Sequence, residues 1–273
     1  MPIAPPLATD LPPLLRTVRF GRPLRWLAET GSTNADAAAW AVEGVAEGAV
    51  VGAEHQTAGR GRHGRAWSDA PGMNLLFSVV LRPPLPPERL GLVPLAAGVA
   101  VAEAVAPWVA PVVPQLKWPN DVLLGGRKAA GLLLEGHLAP GTPSTLVLGL
   151  GLNVNQPDFP PEIAGSATSL ALEAGRPLPR APLLADLLLA LERRYDALLG
   201  GDGAGVCAAF EARMAGRGTE AAVAFAEDGR PPLRGTLLGV DPTGALRLAT
   251  PDGPRLVAAG EVTFQKGKLR REK

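Results

Sequence analysis

Residues 59–67 read Gly59-Arg60-Gly61-Arg62-His63-Gly64-Arg65-Ala66-Trp67. Glycines at 59, 61 and 64 free the backbone for left-handed angles, which aim successive N–H groups at one anion. Arg60, Arg62 and Arg65 add permanently charged forks suited to carboxylate and phosphate oxygens. Trp67 offers a face for stacking on a purine. Further along stands Lys117-Trp118-Pro119-Asn120-Asp121. The proline dictates an extended backbone ahead of a turn, which presents Asn120 and Asp121 at a strand end. Asp121 is a hard oxygen ligand of the kind Mg²⁺ takes alongside substrate phosphates, and Lys117 neutralises a growing phosphate charge. Anion clamps, a closable backbone and a magnesium-grade carboxylate are what binding an acid and a nucleotide together requires. Read singly, the first stretch is also an exposed basic loop or an RNA-binding Arg-Gly tract, and the second a capped turn with a surface lysine. RNA-binding tracts repeat, however, and this one occurs once.

Three weaker signals accompany these. Within 127–135, Lys128 precedes an apolar strand that carries its ammonium inward to hold a carboxylate, although most such lysines are solvated. Gly149-Leu150-Gly151-Leu152-Asn153 alternates glycines in a strand, which admits a flat ligand close to the sheet or marks a bulge. It lacks the third glycine and the following helix of a dinucleotide fingerprint. Gly31-Ser32-Thr33-Asn34 offers polar atoms to a ligand, and helix capping accounts for it equally well. Nothing favours nucleophilic catalysis: there is no Gly-x-Ser-x-Gly and no Walker phosphate loop. His55 and His137 read as structural, and His63 stands apart from both.

A scaffold must hold these residues together. A helix is predicted over 34–45, capped by Ser32 or Thr33, with Gly44 and Gly48 as stops. Strands are predicted over 50–55, 74–82, 115–118, 122–124, 130–137 and 145–152, and helices over 90–105, 183–199 and 205–214. Residues 57–69, rich in glycine and charge, form a mobile loop. Many strands with few helices between them give an α+β fold: a mixed, largely antiparallel sheet with helices packed on one side. Past Arg217 short β-type runs alternate with turns such as Glu227-Asp228-Gly229, Asp241-Pro242-Thr243-Gly244 and Pro251-Asp252-Gly253, as a small barrel requires. The expected organisation is a flexible tail over 1–20, a main domain over 21–217, a compact β-barrel over 218–266 and a basic tail over 267–273.

Bulk properties bound the reading. The 273 residues carry 27 basic and 26 acidic side chains, a balance that argues against a general nucleic-acid or membrane-surface binder. The 29 prolines and 33 glycines are separated by long apolar segments, which argues against disorder. Cys207 is the lone cysteine, so no intramolecular disulfide or cysteine metal cluster forms, and it reads as a structural thiol. No apolar run approaches the ~18 residues of a membrane span. The proline-rich N-terminus makes a poor signal peptide. A cytoplasmic enzyme is the expectation.

Taken in order, Gly31 to Asn34, Gln56 to Trp67, Lys117 to Asp121, Arg127 to Gly131 and Gly149 to Asn153 resemble the motifs of biotin protein ligases. The likeness extends over about residues 25–265. It implies a class II synthetase-like catalytic sheet followed by an SH3-like barrel. It also implies two steps: ATP activates biotin to biotinyl-5′-AMP, and a lysine of a biotin carboxyl carrier domain then takes the biotin. By the same likeness Ser32, Thr33, Asn34, Gln56, Gly59, Arg60, Lys128 and Gly131 face biotin. Arg62, Arg65, Trp67, Lys117, Asn120, Gly149, Gly151 and Asn153 face the adenylate, and Asp121 holds Mg²⁺. Lys117, Lys128 and Arg62 are the catalytic candidates. Some family members carry an N-terminal DNA-binding domain; here only about 25 residues precede the catalytic part, so the likeness is to the single-function form. No DNA or membrane partner and a monomer or weak homodimer are expected. Alternatives are a lipoate or octanoate ligase of the same fold, and a non-catalytic biotin sensor.

Overall fold

Alternation along the strands divides the main sheet into a core face and a site face. The computed structural model describes residues 5–137, 145–225 and 230–264. The sheet holds β1 (Leu24–Leu27), β2 (Val50–Ala53), β3 (Leu75–Leu81), β4 (Gln115–Lys117), β5 (Asp121–Leu124), β6 (Arg127–His137) and β7 (Thr145–Leu152). Their order is β1-β2-β3-β7-β6-β5-β4, with β1 and β2 parallel and all other neighbours antiparallel. On β3, Leu75, Phe77, Val79 and Leu81 enter the large core, joined by Leu146, Leu148, Leu150 and Leu152 of β7. The intervening residues face the other way, so Ser78 pairs with Gly149 and Leu76 with Gly151.

On the core face lie α3 (Leu92–Val109), α5 (Arg180–Leu199) and α6 (Gly203–Glu211), which pack on one another while α3 also meets β4, β5 and β6. Helix α2 (Thr33–Val42) departs from the one-sided arrangement. It covers the opposite face, its Ala37 and Ala41 packing on Val51, Val80 and Val147. The segment Pro87–Val109 is long and apolar enough to cross a membrane, contrary to the sequence expectation, but 72% of its 18-residue apolar stretch is buried inside the protein. Its composition is that of a helix surrounded by core.

Residues 6–20 are not a flexible tail. They form α1 (Pro6–Asp10) and a following turn, which bury Leu7, Leu11, Leu15 and Phe20 in the main core. Glu192 of α5 accepts the backbone N–H groups of Val18, Arg19 and Phe20 at 2.9, 2.6 and 3.0 Å, and this fixes the segment in place. Two further short elements escaped the sequence reading: β1, and α4 (Leu170–Ala174), capped by Ser169.

The second sheet contains β8 (Glu220–Ala224), β9 (Leu233–Val240), β10 (Leu246–Thr250), β11 (Gly253–Val257) and β12 (Glu261–Phe264), antiparallel in the order β11-β10-β9-β8-β12. Val223, Leu237, Leu248, Val257 and Val262, one from each strand, are all buried in one cluster. That cluster is continuous with the main core, so one face of this five-stranded sheet is packed inward. The Glu227-Asp228-Gly229 turn and the basic tail lie outside the described residues.

Candidate active site

The site face is deepest where glycines remove side chains from β6 and β7. A Cβ on Gly149 would collide with the Asn34 amide, one on Gly151 with the Trp67 indole, and one on Gly131 would lie 3.0 Å from both Trp67 and Lys128. The ladders of β7 run without register shift here, so the glycines mark close approach and not a bulge. The flat group they admit is the chain's own Trp67.

Residues 57–69 arch over this floor. His55 Nδ1 meets Asp69 Oδ2 at 2.9 Å and pins the base, which gives His55 a structural role. Above it the loop narrows to a hairpin: Trp67 N–H donates to Gly59 O at 2.9 Å and Gly61 N–H to Arg65 O at 2.7 Å. Left-handed backbone occurs at His63 (φ 56°) and Gly64 (φ 70°), where the loop turns back. Gly61 is extended, and Gly59 packs tightly behind against Gln56 and the Trp67 carbonyl. The expected row of left-handed glycines is thus replaced by a single tight turn.

Beneath the loop, Lys117 ends β4 and Asp121 begins β5, paired across a turn that contains a cis Trp118–Pro119 bond. Lys128 of β6 donates to Asp121 Oδ1 at 2.6 Å, and Lys117 Nζ stands 4.0 Å from Oδ2. Asn120 directs its Nδ2 to the Leu132 carbonyl at 2.6 Å, bracing the turn. At the other end, Ser32 makes no capping hydrogen bond at the N-terminus of α2. Gln56 Oε1 accepts the Thr33 N–H at 2.8 Å instead. Ser78, buried at 0% exposure, donates toward Thr33 Oγ1 at 2.8 Å or Asn34 Oδ1 at 2.6 Å, while Asn34 Nδ2 reaches Glu135 at 2.7 Å. This chain of bonds fixes which way the Asn34 and Gln56 amides point.

The loop, the Lys117–Asp121 turn, Lys128 and the start of α2 surround one cavity of about 390 Å³, within the usual range of small-ligand clefts. Every candidate residue named from the sequence lines it except Gly59. Its charged lining comprises Arg60, Arg62, Arg65, Lys117 and Lys128 against Asp121 and Glu261, a strong positive excess in a chain whose net charge is only +1. Burial lowers the Arg62 pKa, with Glu261 and Asp121 opposing that effect. Arg65, hydrogen-bonded to Glu261, is raised. Among the described residues, two buried side-chain polar atoms have no hydrogen-bond partner: Trp67 Nε1 and Asn153 Oδ1. Both belong to residues that line the cavity.

The donor set also tests the magnesium reading. Among the described residues no cluster of three metal-binding side chains occurs. Asp121 stands between two lysines. Such a set makes no cation cage of its own; it fits a magnesium ion that arrives on nucleotide phosphates, with Asp121 as its protein carboxylate.

Several lining residues lay outside the sequence motifs. Glu261 and Phe264 come from β12, and Phe159, Ile163, Ser166 and Ala167 from the segment after β7. The sequence signals for the supporting bonds are a lone hydroxyl, Ser78, and a lone carboxylate, Glu135, each within an apolar strand.

Fold and cavity together define an acid-activating ligase, and residues 27–153 match the Biotin/lipoate A/B protein ligase family, with residues 222–264 matching the Biotin protein ligase C terminal domain. The chain belongs to the biotin protein ligases. It is 35% identical over 243 residues to a biotin–[acetyl-CoA-carboxylase] ligase of Paracoccus denitrificans, covering 87% of this chain and 99% of that one. To the bifunctional ligase/repressor BirA of Bacillus subtilis it is 32% identical over 250 residues, covering 91% of this chain and 76% of that one. A biotin protein ligase from Aquifex aeolicus, solved in complex with biotin and ATP, superposes with a TM-score of 0.76 at 30% identity, covering 89% of this chain and 98% of that one.

Proposed function

We propose that this chain activates biotin with ATP and transfers it to a lysine of a biotin carboxyl carrier domain. The observation that carries this is the convergence of five cationic side chains on one cavity. Joining a carboxylate to a triphosphate brings two anions together, so the protein's main contribution is positioning and charge neutralisation.

A biotin carboxylate oxygen attacks the α-phosphorus, pyrophosphate leaves, and a mixed anhydride forms. Lys128 orients the carboxylate; Lys117 and Arg62 offset the charge that develops at phosphorus. Ser32, Thr33, Asn34, Gln56, Gly59, Arg60 and Gly131 form the biotin end. Arg65, Trp67, Asn120, Gly149, Gly151 and Asn153 border the nucleotide end. Asp121 would hold a magnesium ion bound to the ATP phosphates, and that ion would supply charge to offset the triphosphate. The 57–69 loop excludes water from the anhydride until the carrier amine attacks its carbonyl and AMP departs. Its needs, ATP and a carboxylase subunit as acceptor, fit a cytoplasmic protein.

Incubation with biotin, Mg-ATP and a carrier domain should add one biotinyl group to the carrier by intact mass. Biotin with Mg-ATP alone should release pyrophosphate. Pyrophosphate release with octanoate or lipoate but not with biotin would overturn the assignment.

A further inference from the structure

The arginine loop is fastened at its tip to the second sheet, a connection that the chemistry above does not use. Arg62 Nη1 donates to the Gly260 carbonyl at 3.0 Å. Arg65 forks onto Glu261, with Nη1 to Oε1 at 2.9 Å and Nη2 closing on Oε2. The pairing is bidentate, the geometry in which a guanidinium–carboxylate pair is strongest. Its foothold is firm: a Cβ on Gly260 would lie 2.6 Å from Val223 Cγ1, so the chain enters β12 hard against β8. Hydrogen bonding from Arg65 holds the Glu261 carboxyl below its ordinary range, and Lys117 and Lys128 act in the same direction.

We propose that Glu261 is a positioning residue that holds the arginine loop shut through Arg65, so that the second sheet sets how long activated biotin is retained. The retention half of this statement rests on the function proposed above; the tether itself does not. Opening the loop tip separates Arg62 from Gly260 and Arg65 from Glu261, while the His55–Asp69 base stays in place. Glu261 is one-third exposed (33%), so the pair contributes at the level of a good surface ion pair, equivalent to about a fivefold change in the closed-to-open ratio. Neutralising Glu261 also leaves the cavity more positive, so ATP capture should not weaken. Loss of retention without loss of nucleotide affinity is a split that general damage to the fold does not produce.

The loop supplies its own probe, since Arg60, Arg62 and Arg65 are trypsin sites. In the ligand-free full chain, Glu261→Gln should be cut within residues 60–65 about fivefold faster than the parent when cleavage tracks the open population. Glu261→Asp should fall between the two, and urea midpoints should stay together. The half-life of enzyme-held biotinyl-adenylate should shorten by a similar factor in Glu261→Gln, with the apparent KM for ATP unchanged or lower. Parental cleavage rates in folded Glu261→Gln would overturn the tether, and faster cleavage with an unchanged half-life would overturn the retention role. The proteolysis arm needs no catalysis, so an inactive chain would sink the proposed function while leaving the tether measurable.

Discussion

At the scale of single residues, the site works by placing charges where the chain's net balance gives no hint of them. Arg62 is the clearest case: it is half-buried, pushed down in pKa by burial, and faces Asp121 as well as the second sheet. A guanidinium retained in such surroundings needs an anionic partner, which the reaction supplies as the phosphate of the intermediate. Arg62→Gly should therefore shorten retention of activated biotin about ten- to a hundredfold, the loss of a charge-assisted hydrogen bond. Escaped adenylate would label bystander lysines, countable by peptide mass spectrometry. An unchanged intermediate half-life would remove this role from Arg62.

At the scale of elements, what the sequence revealed depended on how local each signal was. Helices α3 and α5 stood out because a long apolar run and a long amphipathic one need no partner to be recognised, and their bounds fall within a few residues of the prediction. The loop and its cavity were legible because their residues cluster in contiguous motifs. Glu261 and Phe264 were not, since nothing near them in the chain says which cavity they enter. Helix α1 escaped notice because five residues bounded by prolines have little intrinsic helicity; it exists through tertiary burial and through Glu192. Burial alone would raise the Glu192 pKa, yet three backbone N–H groups and Arg19 bring it below the ordinary value. A depressed folded-state pKa stabilises the protein in full above the unfolded carboxylate value, and the contribution disappears as pH falls through the depressed one. Glu192→Gln should thus cost about 2 kcal/mol near neutrality and flatten the loss of stability on acidification. Urea denaturation at pH 7 and at steps down to about pH 3 measures both; an acid slope identical to that of the parent would exclude Glu192 as the anchor.

At the scale of the whole molecule, the two sheets share a core as well as a site. Val223, Leu237, Leu246 and Val262 belong to the same apolar cluster as Leu95, Val99 and Leu116. Polar bonds cross the same boundary: Trp118 Nε1 donates to Gly244 O at 3.0 Å, and Val240 N–H to Glu211 Oε1 at 2.9 Å. Backbone also meets backbone there: a Cβ on Gly91 would stand 3.0 Å from Thr243 O and one on Gly244 equally close to Gly91 O. This continuity matters because the loop is held from below by the first sheet and from above by the second, so its geometry is only as good as their registration. Thermal or urea unfolding of the parent should accordingly be one transition, with tryptophan fluorescence and far-UV circular dichroism coincident. Gly91→Val inserts a branched side chain into the contact and should lower stability by about 1–3 kcal/mol. Because the wedge acts at the junction and not inside either core, it should also pull the two probes apart and speed tryptic cleavage of the arginine loop. Two separated transitions in the parent chain would mean that the sheets fold independently, and the loop would then have to be closed by ligand instead of by the protein's own architecture.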